Sequence, residues 1–107
     1  MTCLTIYKYK LFSGCRDNTI RLWDADTHAH EATLEGHTGD MTCLTTYKNK
    51  LFSGSEDHTI RVWDADTHAH VATLEGHRYR VNCLTIYKNK LFSGSWDRTI
   101  RVWNLDE

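Results

Sequence analysis

Serine, histidine and aspartate recur together along this chain. His37, Ser53 and Asp57 stand at fixed intervals, and His77, Ser93 and Asp97 repeat those intervals one period later. A hydroxyl, an imidazole and a carboxylate are the parts of a hydrolytic relay, in which a base takes the nucleophile's proton and an acid orients the base. Recurrence argues against that chemistry, because a catalytic centre has no reason to repeat along a chain. Neither serine lies in the Gly-x-Ser-x-Gly elbow that exposes a nucleophile. No residue is therefore assigned a catalytic role, and the chain is read as a non-enzyme.

Other reactive types fare no better. His28-Ala29-His30 and His68-Ala69-His70 set two imidazoles on one side of an extended segment, which could begin a metal site. No third ligand stands nearby, so no metal and no other cofactor is expected. Cys3, Cys43 and Cys83 are one repeated position in an apolar run, and with Cys15 they form no CxxC pair. They read as small core residues with free thiols, which points to an intracellular, cytoplasmic setting. All the lysines (Lys8, Lys10, Lys48, Lys50, Lys88 and Lys90) flank copies of one turn, where a basic cluster could hold an acidic peptide or a phosphate. Asp24, Asp26, Asp64 and Asp66 emerge beside them, and the turns are read as solvated. The net charge of −1 and 25% charged residues suggest neither a nucleic-acid nor a membrane partner. No apolar run is long enough to span a bilayer, and no leader-like segment opens the sequence.

The elements that position these residues come from repetition. Residues 1–40 and 41–80 are the same unit with ten positions changed, and 81–107 is a third copy cut short. Within the unit Met41 to Tyr47 alternates as a strand, Lys48-Asn49-Lys50 reads as a tight hairpin with Asn able to take the left-handed conformation, and Leu51 to Ser55 is a second strand. Thr59 to Trp63 is a third, with Ile60 and Val62 on one face and Arg61 and Trp63 on the other. His70 to Leu74 is a fourth. Each copy is thus a four-stranded antiparallel meander with apolar residues on both faces, and must stack on its neighbours to be stable. We call the strands a, b, c and d.

Trp23-Asp24 and Trp63-Asp64, with Gly36-His37 and Gly76-His77, resemble the markers of the WD40-repeat family; the third copy departs with Trp103-Asn104. That resemblance implies an all-β fold of propeller blades set radially around a channel, strand a innermost. The blades are residues 1–40, 41–80 and 81–107 of a single repeat domain, the last lacking its outer strand. It also implies a structural hydrogen-bond network: His37, Ser53, Asp57 and Trp63 in one set, and His77, Ser93, Asp97 and Trp103 in the next. Ser13, Asp17 and Trp23 form a third set without its histidine.

Family members usually close four to eight blades. Two four-stranded blades and a three-stranded one leave the ring open, with apolar outer faces on blades 1 and 3. Because the end copies are so alike, the chain is expected to complete its ring head-to-tail with another copy. A homodimer of six blades is favoured over a homotrimer of nine. The near-identity of the copies fits either recent amplification or engineering.

The a–b and c–d loops are copied almost verbatim, whereas the b–c and d–a loops change in size and sign. Arg16, Glu56 and Trp96 are equivalent, as are Thr38-Gly39-Asp40 and Arg78-Tyr79-Arg80. Variation confined to one face of a fixed scaffold reads as a protein- or peptide-binding surface. Its residues would be Arg16, Asp40, Glu56, Arg78, Tyr79, Arg80 and Trp96, with Thr42 and Asn82 on the channel rim. The alternative is a structural self-assembly module with no partner beyond itself.

Overall fold

The computed structural model describes residues 3–15 and 17–105. Eleven strands follow one another: β1 (Cys3–Tyr7), β2 (Lys10–Gly14), β3 (Ile20–Asp24) and β4 (His30–Leu34); β5 (Met41–Tyr47), β6 (Lys50–Ser55), β7 (Ile60–Asp64) and β8 (His70–Leu74); and β9 (Val81–Tyr87), β10 (Lys90–Ser95) and β11 (Ile100–Asn104). They form three antiparallel sheets in the orders β1-β2-β3-β4, β5-β6-β7-β8 and β9-β10-β11. These are the blades of an open propeller. No helix among the described residues is long and apolar enough to cross a membrane.

Two-residue turns join the first and second strands of each blade. The left-handed conformation open to Asn49 falls instead on its neighbour: Lys8, Lys48 and Lys88 have φ of 55°, 56° and 50°, and of Asn49 and Asn89 only Asn89 joins them. A two-residue hairpin needs positive φ to match the twist of its strands. Here the paired strands impose that conformation on whichever residue follows the tyrosine.

The alternation in β7 sends neighbouring side chains into different cores. Trp63 packs with Phe12, Ile20, Leu22, Met41 and Leu51 between blades 1 and 2. Ile60 and Val62 pack with Phe52, Val81 and Leu91 between blades 2 and 3. The front of each sheet therefore meets the back of the next, and β5 lies beside both β1 and β9. Close approach has a local requirement: a Cβ on Gly14 or Gly54 would lie 2.6 Å from the sulfur of Cys3 or Cys43. Burial pushes the Cys43 thiol up to about 12, so it packs as a small apolar group.

The stack ends abruptly on both sides. Ile60 is 0% exposed, while Ile100, the same residue on the open front of blade 3, is 73% exposed. Val102 and Tyr87 share that front, and Leu4 and Ile6 are exposed on the back of blade 1. Equivalent phenylalanines provide a test of this asymmetry. Phe52→Ala, at a buried position, should cost about 3–5 kcal/mol in urea unfolding. Phe92→Ala, half-buried on the open front, should cost distinctly less in dilute, unassembled protein.

Candidate functional site

Strands b and c of each blade carry a serine and a tryptophan side by side. Leu51 pairs with Trp63 and Ser53 with Arg61, which brings the indole over the serine. Trp63 Nε1 donates to Ser53 Oγ at 3.0 Å, and Trp103 Nε1 to Ser93 Oγ at 2.8 Å. His37 and His77 arrive from the d–a segments, with Nε2 2.7 Å from Ser53 Oγ and Ser93 Oγ respectively. Their Nδ1 atoms lie 2.8 and 2.9 Å from Asp57 and Asp97. A carboxylate only accepts, so Nδ1 carries the proton, and Nε2 accepts from a serine hydroxyl that already receives the indole N–H.

The same geometry would serve a relay if the serine could be reached. Ser53 and Ser93 are 0% exposed and their oxygens are occupied by tryptophan, so no substrate carbonyl can approach them. The chain of bonds ties the d–a segment to the strands that follow it. Each aspartate also gathers donors not anticipated from the sequence. Asp57 accepts from the Thr59 hydroxyl at 2.6 Å and from the amides of Thr38 and Thr59, both at 2.9 Å. Asp97 accepts from Thr99 and from the Arg78 amide. An Asp-x-Thr triplet in every copy was the available signal.

In blade 1 no histidine among the described residues reaches the serine. Trp23 still donates to Ser13 at 3.0 Å, but Asp17 turns to Arg21 at 3.1 Å. In blade 2 the equivalent Arg61 instead lies against Gly36, where a Cβ would sit 2.9 Å from its Nη1. Gly76 lies against Arg101 in the same way, at 3.1 Å from its Nη1.

The divergent loops meet above this framework. Glu56 N donates to Asp40 O at 2.9 Å and Trp96 N to Arg80 O at 3.2 Å, fastening each d–a loop to the b–c loop that follows. Arg80 then spans two blades: its guanidinium bonds Glu56 at 2.8 Å and covers the Trp96 ring at 4.1 Å. Trp96 remains 62% and Tyr79 58% exposed, the latter tilted against His58. Thr42 is half-buried with its hydroxyl on the Val81 carbonyl, and Asn82 is half-buried in β9. Arg16 lies outside the described residues.

The remaining candidates are dispersed. His30 and His70 stand edge-on to Trp23 and Trp63, and bond Thr33 and Thr73 at 3.1 and 3.0 Å. His28 and His68 occupy left-handed turn positions. Lys8, Lys48 and Lys88 each lie over the preceding tyrosine ring, and Lys10 bonds Glu31 at 2.6 Å.

Three radial antiparallel sheets, each with a tryptophan–serine pair and two with the full chain to histidine and aspartate, define a β-propeller of tryptophan–aspartate repeats. The family model "WD domain, G-beta repeat" matches residues 2–24, 29–64 and 69–104, and the chain belongs to this WD40-repeat family. The F-box/WD repeat-containing protein lin-23 of Caenorhabditis elegans is 46% identical over 37 residues, which are 35% of this chain and 6% of that protein. Among solved structures, the computationally designed Ika4 protein superposes with a TM-score of 0.87 at 34% identity, over 96% of this chain and 64% of its own. U3-55K superposes with a TM-score of 0.86 at 29% identity, over 95% of this chain and 33% of its own. The chain thus spans less than two thirds of each of these proteins.

Burial works against ionisation of Asp57, but the hydrogen bonds from His37, Thr59 and Thr38 outweigh it and hold the carboxyl below its usual range. A depressed folded-state pKa adds stability at neutral pH that is lost as pH falls below about 4, where the unfolded chain takes up the proton first. Asp57→Ala should cost about 1–3 kcal/mol near neutrality. It should also flatten the acid limb of the stability curve. Asp17→Ala, in the exposed set without histidine, should cost less. Equal denaturation midpoints for the two variants would contradict this assignment.

Proposed function

We propose that this chain is a non-enzymatic interaction scaffold that binds a protein or peptide on its b–c and d–a loop face, acting as a ring completed by a second copy. The observation that carries the reading is the pair of exposed aromatics, Trp96 and Tyr79, held by Arg80 and His58 over a rigid framework. Aromatics beside arginine are the usual composition of binding hot spots, and a side chain already held in place loses little entropy on binding. The occluded serines support the non-enzymatic part. Free cysteines support an intracellular, cytoplasmic setting.

Ring completion follows from the two bare faces. Ile100 and Val102 on the front of blade 3 repeat Ile60 and Val62, which are buried against β9 and β10. Leu4 and Ile6 on the back of blade 1 repeat Leu84 and Ile86, which pack in that same core. Front and back are therefore complementary by construction, and two copies give six blades.

Light scattering should give twice the chain mass, and Ile100→Glu should abolish the association. Cys83, exposed on the same front, should resist thiol reagents in the assembled form and react in the variant. A folded monomer over a wide concentration range would overturn the assembly.

For binding, a displayed peptide library selected on the assembled protein supplies the ligands. Trp96→Ala should weaken the selected peptides by about thirtyfold, equivalent to about 2 kcal/mol, without changing mass or melting. Joint replacement of Lys8, Lys48 and Lys88 by alanine should leave their affinity unchanged. The opposite pattern would move the site to the lysine face. A second reading, a self-assembly module without other partners, is supported by the similarity to a computationally designed protein. A selection that returns no specific binders would favour it.

A further inference from the structure

Positive charge on the loop face is gathered at one blade junction. The d–a loop between blades 1 and 2 reads Thr38-Gly39-Asp40, and the one between blades 2 and 3 reads Arg78-Tyr79-Arg80. In the b–c turns, Asn18 and His58 give way to Arg98. The Arg78 amide donates to Asp97 Oδ2 at 3.0 Å, and Arg98 directly follows that aspartate, so both arginines start from one point of the framework. Thr38 makes the corresponding bond to Asp57 at 2.9 Å. The backbone is therefore held alike at both junctions, and only the side chains differ.

The three guanidiniums at this junction meet different fates. Arg80 is engaged twice, by Glu56 at 2.8 Å and by the Trp96 ring. Asp97 is already taken up by His77, by Thr99 and by the Arg78 amide. Among the described residues neither the Arg78 nor the Arg98 guanidinium has an ion pair or hydrogen bond, and both residues are exposed. One paired acid against three arginines leaves a local positive surplus on a chain whose net charge is −1. Tyr79 stands beside them, exposed and tilted against His58. Arg78, Tyr79 and Arg80 have a blade of this chain on either side.

We infer that the ligand of the loop face is an acidic peptide, whose aspartate or glutamate side chains pair with Arg78 and Arg98 while its main chain lies against Tyr79. This rests on the loop face being the binding surface and names the chemistry of what it binds. A guanidinium fork matches a carboxylate with two parallel bonds, and no internal ion pair has to break for Arg78 or Arg98 to offer it. A nucleic acid is a poorer occupant. Its phosphates need a run of cations along their path, and the neighbouring junction presents Asp40 and Glu56 instead. A short peptide with its acids over one junction avoids both.

The probes are the peptides selected on the assembled protein, each remade with every aspartate and glutamate as its amide. The acidic forms should bind about tenfold more tightly than the amide forms, and the difference should shrink as salt is raised. The matching variant of the protein is Arg78→Thr with Arg98→Asn. Thr38 and Asn18 stand at those positions in other copies, and Asn18 has φ 72° where Arg98 has 71°, so the fold accepts both changes. On this variant the acidic and amide forms should bind within about twofold of each other. Selected peptides that depend on Trp96 but not on carboxylates would overturn this inference and leave the loop face standing. An undiminished preference for the acidic forms in the variant would do the same. Tighter binding of a fluorescein-labelled oligouridylate of about ten nucleotides would overturn it in favour of a nucleic acid. A selection without specific binders would remove the loop face and this inference together.

Discussion

The structure depends on one constraint: a blade of this sequence has two apolar faces and can bury only one against a given neighbour. Ile20 and Leu22, Ile60 and Val62, and Ile100 and Val102 occupy equivalent places on three sheets, yet the first two pairs are buried and the last is exposed. Nothing local distinguishes them. Each side chain is worth about 1.5–3 kcal/mol when removed from water, so the balance between an open stack and a closed one turns on whether a further sheet arrives. The twist of the strands fans successive sheets about their innermost members, so stacking also tends toward closure.

Packing alone would let blades slide over one another, and the polar groups remove that freedom. The run from tryptophan through serine and histidine to aspartate crosses from the strands of a blade to the segment that leads into it. Each buried donor or acceptor in the run has a partner, and a slip by one residue would strand several of them at once. Threonines 59 and 99 and the amides of residues 38 and 78 complete the aspartate end. Apolar burial thus drives the blades together, and directional bonds decide where they stop.

Much of this was legible in the sequence. The forty-residue period, the alternation and the markers led to the right fold class, and the faces of β7 were read correctly from Ile60, Val62 and Trp63. The turn was less legible. Asn49 has the propensity for positive φ, but Lys48 adopts it, because register and strand twist outrank a single residue's preference. The loop face was also only partly legible. Glu56 and Arg80 differ from their counterparts in ways that suggest a ligand, whereas the structure joins them to each other across a blade boundary. Sequence comparison within a chain detects that positions vary in concert. It cannot tell a charge pair from a contact surface, since both put complementary signs on neighbouring loops.

The family match has a phase of its own. Its segments 29–64 and 69–104 begin at the outer strand of one sheet and end at the third strand of the next. Those segments are therefore offset by one strand from the sheets, whereas the copies 1–40 and 41–80 coincide with β1–β4 and β5–β8. In the family's frame one segment, 29–64, holds the whole run of His37, Ser53, Asp57 and Trp63, which in the frame of the sheets crosses the joint between two blades. What one frame counts as the inside of a unit, the other counts as the seam between units.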